Sequence, residues 1–246
     1  MALLPHPYLS PTPEGGLYWG ELIEGVLIRR YKRFLADVLL PDGSVVTSHT
    51  PNTGAMLGCS EPGRPVWLSR HDGVHRKYPY TLEMIAMPRA LVGVNTGVPN
   101  RLIKAAIAAG AIAELPVPDE INAEVRRGNS RLDLRLGYDG GPDTLVEVKN
   151  CTLTEDGVAL FPDAVTVRGA RHLDELARLV SLGERAVLFV LVQRGDAVAF
   201  SPADCIDPAW GRALRKGVRE GVELLVYRAR LTIETIAIEK RLPVEL

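Results

Sequence analysis

The stretch TLVEVKNCTL, residues 144 to 153, holds a carboxylate and an ammonium two positions apart, Glu147 and Lys149, flanked by Val146 and Val148. Side chains alternate across a β-strand, so a strand here sends both charges to one face and both valines to the other. Two strand-like segments precede it, EINAEVRR and SRLDLRLG. Gly128-Asn129 suits a two-residue primed turn between them, because both residues tolerate positive φ. That turn sets Arg127 against Ser130 and Glu124 against Asp133. A symmetric register about Gly140 then sets Asp133 against Glu147 and Arg131 against Lys149. Glu124, Asp133 and Glu147 would form a row of carboxylates, with Leu132, Leu134, Val146 and Val148 on the opposite, core face. Like charges opposed across strands destabilise a sheet by up to about 1 kcal/mol per pair, and a divalent cation reverses that sign. Mg²⁺ and Mn²⁺ take carboxylate oxygens, usually one or two together with water and substrate phosphate. Asp133 and Glu147 are therefore the expected metal ligands. Lys149 is positioned to steady an attacking water or the charge that develops on phosphorus. The alternative is a solvated charged face, since short motifs of this kind recur without function.

The elements that must position such a row are legible in outline. PNRLIKAAIAAGAIAEL reads as a helix with Asn100 as its N-cap and Gly110 as its stop. The three strands follow. VRGARHLDELARLVSLG is then an amphipathic helix with Leu173, Leu176, Ala177 and Val180 on one stripe. The same helix carries Arg168, His172 and Glu175 along one face. His172 is the expected supporting residue, and Glu175 reads as an ion-pair partner of Arg171 or Arg178. Asp163, in LFPDAVT, is either a further supporting acid or a turn residue. RAVLFVLVQR is a strand buried on both faces, and PAWGRALRKGVREGV and ELLVYRARLT read as helix and strand. From residue 100 the order is thus α-β-β-β-α-β with additions at the end.

Before about residue 90 the pattern differs. Short strands broken by PDGS, a Gly73 turn and several prolines suggest a small antiparallel barrel, with the OB-fold as one option. We expect two domains, 1–90 and 91–246. Within the first, RRYKRF sets Arg29, Arg30, Lys32 and Arg33 around Tyr31 and Phe34. Cations with aromatics suit single-stranded nucleic acid; a solvated strand with two core aromatics is the other reading. HTPNTGAM is a loop that either cradles an anion through backbone N–H groups or makes a tight turn.

Composition sets the bounds. The chain has 246 residues, 46% hydrophobic and 24% charged, with a net charge of −1, which is globular usage without a molecule-wide field to draw in nucleic acid. Any such binding must be local. Three cysteines with no CxxC pair exclude a zinc ribbon and a disulfide framework. The proline-broken N-terminus lacks the basic region of a signal peptide, and the longest apolar run, AVLFVLV, is too short to span a bilayer. A reducing, cytoplasmic setting away from membranes is expected.

An aspartate on the second strand with Glu-x-Lys on the third, in this element order, resembles the PD-(D/E)xK nuclease fold. RRYKRF, SHTPNTGAM, WLSR, KYPYTLE, GVNTGVPN, SRLDLRL, LVEVKNCTL, FPDAVTVRGARHLDEL and IDPAWGRAL, in this order from about residue 18 onward, resemble the sugar fermentation stimulation protein family. The resemblance implies an OB-like barrel followed by a PD-(D/E)xK-like domain, with Asp133, Glu147 and Lys149 at the nuclease-like positions and Glu124 as a companion. It implies DNA as partner ahead of RNA, and a regulatory role in sugar (maltose) metabolism. Ala55 departs from the pattern, standing where a basic residue is expected in the PNTG loop. Three functions follow: a metal-dependent nuclease, a DNA-binding regulator that keeps the nuclease fold as a scaffold, or a small-molecule or protein-interaction module.

Overall fold

The computed structural model describes residues 9–71, 76–127 and 130–246. The Gly73 and Gly128-Asn129 turns, and the start of the N-terminal stretch, lie outside these. After two short strands, β1 (Leu9–Pro11) and β2 (Leu17–Trp19), five strands close into a barrel: β3 (Leu22–Tyr31), β4 (Leu35–Leu39), β5 (Val45–His49), β6 (Pro65–Arg70) and β7 (Tyr80–Ala86). Their order is β5-β4-β3-β6-β7, and β5 meets β7 through Ser48↔Tyr80 and His49↔Thr81. Closure removes the sheet's edges and encloses Leu27, Val38, Met56, Leu68, Leu82 and Ile85. This is the expected OB-like barrel. β8 (Leu91–Gly93) pairs with β7 and carries the unit to residue 93.

The remaining elements are α1 (Val98–Ala108), β9 (Glu120–Arg127), β10 (Ser130–Gly137), β11 (Thr144–Cys151), β12 (Leu153–Glu155), β13 (Val158–Phe161), α2 (Val167–Ser181), β14 (Arg185–Val192), β15 (Ala199–Pro202), α3 (Pro208–Arg219), β16 (Glu223–Leu231) and β17 (Thr235–Arg241). They build an eight-stranded sheet of order β1-β2-β17-β16-β14-β11-β10-β9. β11, β14 and β16 run parallel at its centre, and the flanking strands are antiparallel. α1 covers one face, over Leu134, Val146 and Phe189; α2 and α3 cover the other, over Leu145, Leu188 and Val190. Helices on both faces explain why β14 reads as an unbroken apolar run.

Several expectations need correction. β1 and β2 belong to the large sheet: Tyr18 pairs with Thr235, Leu17 with Ile236, and Leu17 and Trp19 bury in the core beneath α1. Residues 9–19 therefore join the large sheet, not the barrel. A small sheet, β12-β13-β15, adds strands outside the anticipated order. RRYKRF is no continuous strand: β3 ends at Tyr31, and Lys32 and Arg33 turn the chain with φ of 48° and 66°. Asn100 does not cap α1. The helix starts one residue after Gly97, with Pro99 in its first turn, and Asn95 Oδ1 accepts the Gly97 N–H. Proline presets helical φ there, which leaves Asn100 inside the helix and free for other use. Gly110, at φ 69°, lies just past the helix end as expected.

Candidate active site in the cleft between barrel and sheet

Strand register brings the acidic residues together. β9 and β10 pair Arg127 with Ser130 and Ala123 with Leu134; β10 and β11 pair Leu134 with Val146 and Leu136 with Thr144. Both registers are those the turns imply. The β10–β11 ladder stops at Leu134↔Val146, one residue short of Asp133 and Glu147. Beyond that point the Asp133 side chain replaces a backbone partner: its Oδ2 accepts the Val148 N–H at 2.8 Å. The strands thus part where the acids sit.

The β9–β10 ladder is also interrupted opposite Asp133. Val125 pairs with Leu132 and Ala123 with Leu134, while Glu124 between them takes a φ of 59°. An L-residue rarely adopts that conformation, and it breaks the alternation on which the three-carboxylate row depended. Glu124 pairs with Arg131 instead, and does not line the cavity that Asp133 and Glu147 share. Leu132 likewise joins the core beneath α2, not the core of Leu134, Val146 and Val148.

Asp133, Glu147, Lys149, Asp163 and His172 all line one cavity of about 450 Å³ between the barrel and the large sheet. Glu147 lies at its base, 3% exposed. Its Oε1 accepts from both Lys149 Nζ and His172 Nδ1. Arg168 Nε donates to His172 Nε2 at 3.2 Å, so the imidazole proton sits on Nδ1, facing the carboxylate. Glu147 Oε2 is buried and has no hydrogen-bond partner among the described residues. Burial works to raise the Glu147 carboxyl, but the bond from His172 and the charge of Lys149 outweigh it and hold the group below the ordinary range. For Asp133, burial and the neighbouring Glu147 charge push the carboxyl up, against the Val148 N–H, Lys149 and Asn100. Asn100 Nδ2 donates to Asp133 Oδ1 at 2.8 Å, a contact the sequence reading missed. Glu175 pairs with Arg178, as one of its expected partners.

The barrel supplies the opposite wall through Arg33, Asn52, Thr53 and Gly54. Of the four cations in RRYKRF, only Arg33 reaches the cavity. Arg30 is occupied by the carbonyls of Asn52, Gly54 and Ala55, and Arg29 pairs with Asp37; Lys32 is exposed in the turn. The PNTG loop therefore presents its carbonyls to arginines, which makes it a braced turn. Asp163 joins the two halves: its Oδ2 accepts the Met56 N–H at 2.8 Å. Gly93 N–H to Gln193 O and Gln193 Nε2 to Asn95 O add further ties. Among the described residues, no three His, Cys, Asp or Glu groups cluster as a ready metal cage, and no helix is long and apolar enough to cross a membrane.

Two family profiles match the chain, "SfsA N-terminal OB domain" over residues 28–94 and "Sugar fermentation stimulation protein RE domain" over residues 97–235. Relatives include the sugar fermentation stimulation protein homolog of Geobacter sulfurreducens, 54% identical over 91% of this chain and 96% of its own length. The homolog from Thioalkalivibrio sulfidiphilus is 49% identical over 92% of this chain and 96% of its own. Among solved structures, Pyrococcus furiosus SfsA in complex with Ca²⁺ superposes with a TM-score of 0.87 at 26% identity, covering 93% of this chain and 98% of that one. With both domains matched in order and relatives about half identical along nearly the whole length, the chain belongs to the sugar fermentation stimulation protein family.

Proposed function

We propose that this chain is a divalent-metal-dependent phosphodiesterase of PD-(D/E)xK type acting on nucleic acid, with DNA ahead of RNA. The observation that carries the reading is Glu147: a buried carboxylate with one oxygen held by Lys149 and His172 and the other without a donor, next to Asp133 in a cavity. A buried carboxylate oxygen without a partner is costly, and a hard cation is what relieves it. Mg²⁺ or Mn²⁺ fits two carboxylates because such ions keep water and substrate phosphate as further ligands, so a complete protein cage is not needed. Asp133 and Glu147 would hold the ion, which when bound supplies Lewis-acid polarisation of the phosphate. The solved P. furiosus relative is bound to Ca²⁺, an ion of the same oxygen-seeking class.

The chain's own groups then divide the work. Hydrolysis forms one bond from water oxygen to phosphorus and breaks one from phosphorus to the departing nucleoside oxygen; one water proton leaves and the departing oxygen takes one up. Lys149 supplies fixed positive charge where negative charge grows on the phosphate. His172 keeps Glu147 ionised and oriented through its Nδ1–H. Asn100 and the Val148 N–H hold the Asp133 carboxylate in place. A scaffold reading without catalysis draws on one observation, that Lys149 already lies against Glu147 and balances its charge.

The test is incubation with labelled DNA in Mn²⁺, Mg²⁺ and EDTA, beside Asp133→Ala and Lys149→Ala. Metal-dependent cleavage absent from both variants is expected. DNA binding without cleavage under any metal leaves the scaffold reading, and neither binding nor cleavage removes nucleic acid from the account.

A further inference from the structure

Resting on that reading, we infer that the cleft takes a single nucleic-acid strand, an end or an unpaired stretch, and excludes duplex, with Arg33 and Arg168 as the phosphate contacts on its rim. The reacting groups are recessed. Glu147 is 3% and His172 8% exposed, and the Lys149 side chain 15%. A phosphodiester must therefore enter the cavity to meet them, and about 450 Å³ is room for a nucleotide-sized group. In a duplex each phosphate is fixed between its neighbours on a stiff surface, with the complementary strand behind it. A lone strand can bend one phosphate inward.

The walls come from both halves of the molecule and are pinned together. The Met56–Asp163 bond lies at the cavity itself, and Gly93–Gln193 and Asn95–Gln193 hold the adjoining chain. Gly54 approaches Asp163 so closely that a Cβ there would stand 2.5 Å from Oδ1. Widening the cleft for a duplex would break this set of contacts together.

The rim carries the right charge for one strand. Arg33 is anchored by Nε and Nη2 to Thr53 O, and Arg168 by Nε to His172 Nε2. Both residues are exposed, and each guanidinium is oriented by one end while donors remain at the other. One arginine comes from the barrel and one from α2. A strand whose central phosphate lies at Glu147 would place a flanking phosphate on each side of the domain junction. The Phe34 ring beside Arg33 is 45% exposed and available for base stacking.

The experiment is fluorescence anisotropy with the full chain in Ca²⁺, using a labelled DNA strand, its blunt duplex and the matching RNA strand, followed by cleavage in Mn²⁺. Bis(p-nitrophenyl) phosphate serves as a phosphodiester without strandedness. We expect the single strand to bind at least tenfold tighter than the duplex. Arg33→Ala and Arg168→Gln should each weaken binding severalfold and lower the salt slope by about one. The wild-type strand preference needs no variant to fold, and circular dichroism checks those that are made. Duplex bound as tightly as single strand, or both variants binding like wild type, overturns the inference even if cleavage occurs. Strand preference without cleavage of any phosphodiester overturns the enzymatic reading and keeps this one. The RNA arm decides which polymer the rim accepts.

Discussion

Glu147 in the cleft and Glu83 on the barrel strand β7 are both almost fully buried, at 3% and 0% exposure, yet their surroundings treat them in opposite ways. Glu83 receives Ser69 Oγ on one oxygen at 2.6 Å and Asn95 Nδ2 on the other at 2.7 Å. Burial is the largest influence, and against these two bonds and the charges of Arg76 and Arg101 it pushes the carboxyl up to about 7. Glu147 instead meets Lys149 and His172 on a single oxygen, which keeps it ionised and leaves its second oxygen bare. Burial alone does not mark a functional acid. The informative pattern is a carboxylate held charged in the interior while one oxygen goes unused beside a cavity.

Four substitutions test that contrast, from the largest expected effect downward. Glu147→Gln keeps the shape and removes the charge, and metal-dependent cleavage should fall at least about a hundredfold; steady-state rates in Mn²⁺ measure it, and a loss of under threefold would dissolve the distinction. Glu83 is expected to act on stability alone. Its carboxyl ionises near 4.5 when unfolded and about 7 when folded. Between those values the folded state holds a proton the unfolded chain has lost. Stability should therefore drop by roughly 3 kcal/mol as pH rises through that window, then level off. Glu147, whose folded value is lowered, works the other way: its contribution is present above the ordinary carboxylate range and fades in acid. Urea unfolding at a series of pH values reads both. Glu83→Gln should flatten the upper slope and leave cleavage intact.

Asn100→Ala removes a donor from ionised Asp133, so its carboxyl should rise further. We expect about a tenfold lower rate, with the acid limb of the pH–rate profile moved to higher pH; an unmoved profile would make Asn100 a packing residue. Glu124→Gln should do least. It breaks a partly exposed pair with Arg131, worth no more than about 1 kcal/mol, and cleavage should be unchanged. A large loss there would return Glu124 to the site.

That Asp133, Glu147 and Lys149 come to one cavity was legible because a period of two and two symmetric turns set which residues face each other. What escaped depended on contacts between distant segments. Glu124 left the row through a single backbone distortion, which no spacing announces. Asn100 looked like a cap because Asn commonly is one, but Pro99 and Asn95 begin α1 without it. β2, with β1 on its other side, pairs with β17 near the other end of the chain, so the segment before residue 20 was grouped with the barrel although it extends the large sheet. RRYKRF offered four cations to a ligand, but Asp37 engages Arg29, loop carbonyls close only in space engage Arg30, and Lys32 does not line the cavity. The β12–β13 hairpin was within reach: Asp156-Gly157 is a two-residue turn of primed type, with φ of 46° and 84°.

On the proposed reading, Glu147 Oε2 and Asp133 together hold a hard cation. A crystal grown with Mn²⁺ and measured at the manganese edge tests it most directly. One anomalous peak is expected in the cleft, at about 2.0 to 2.4 Å from Glu147 Oε2 and in contact with Asp133, absent in Glu147→Gln. A cleft without a peak at saturating Mn²⁺, or a peak that persists unchanged in Glu147→Gln, would contradict it.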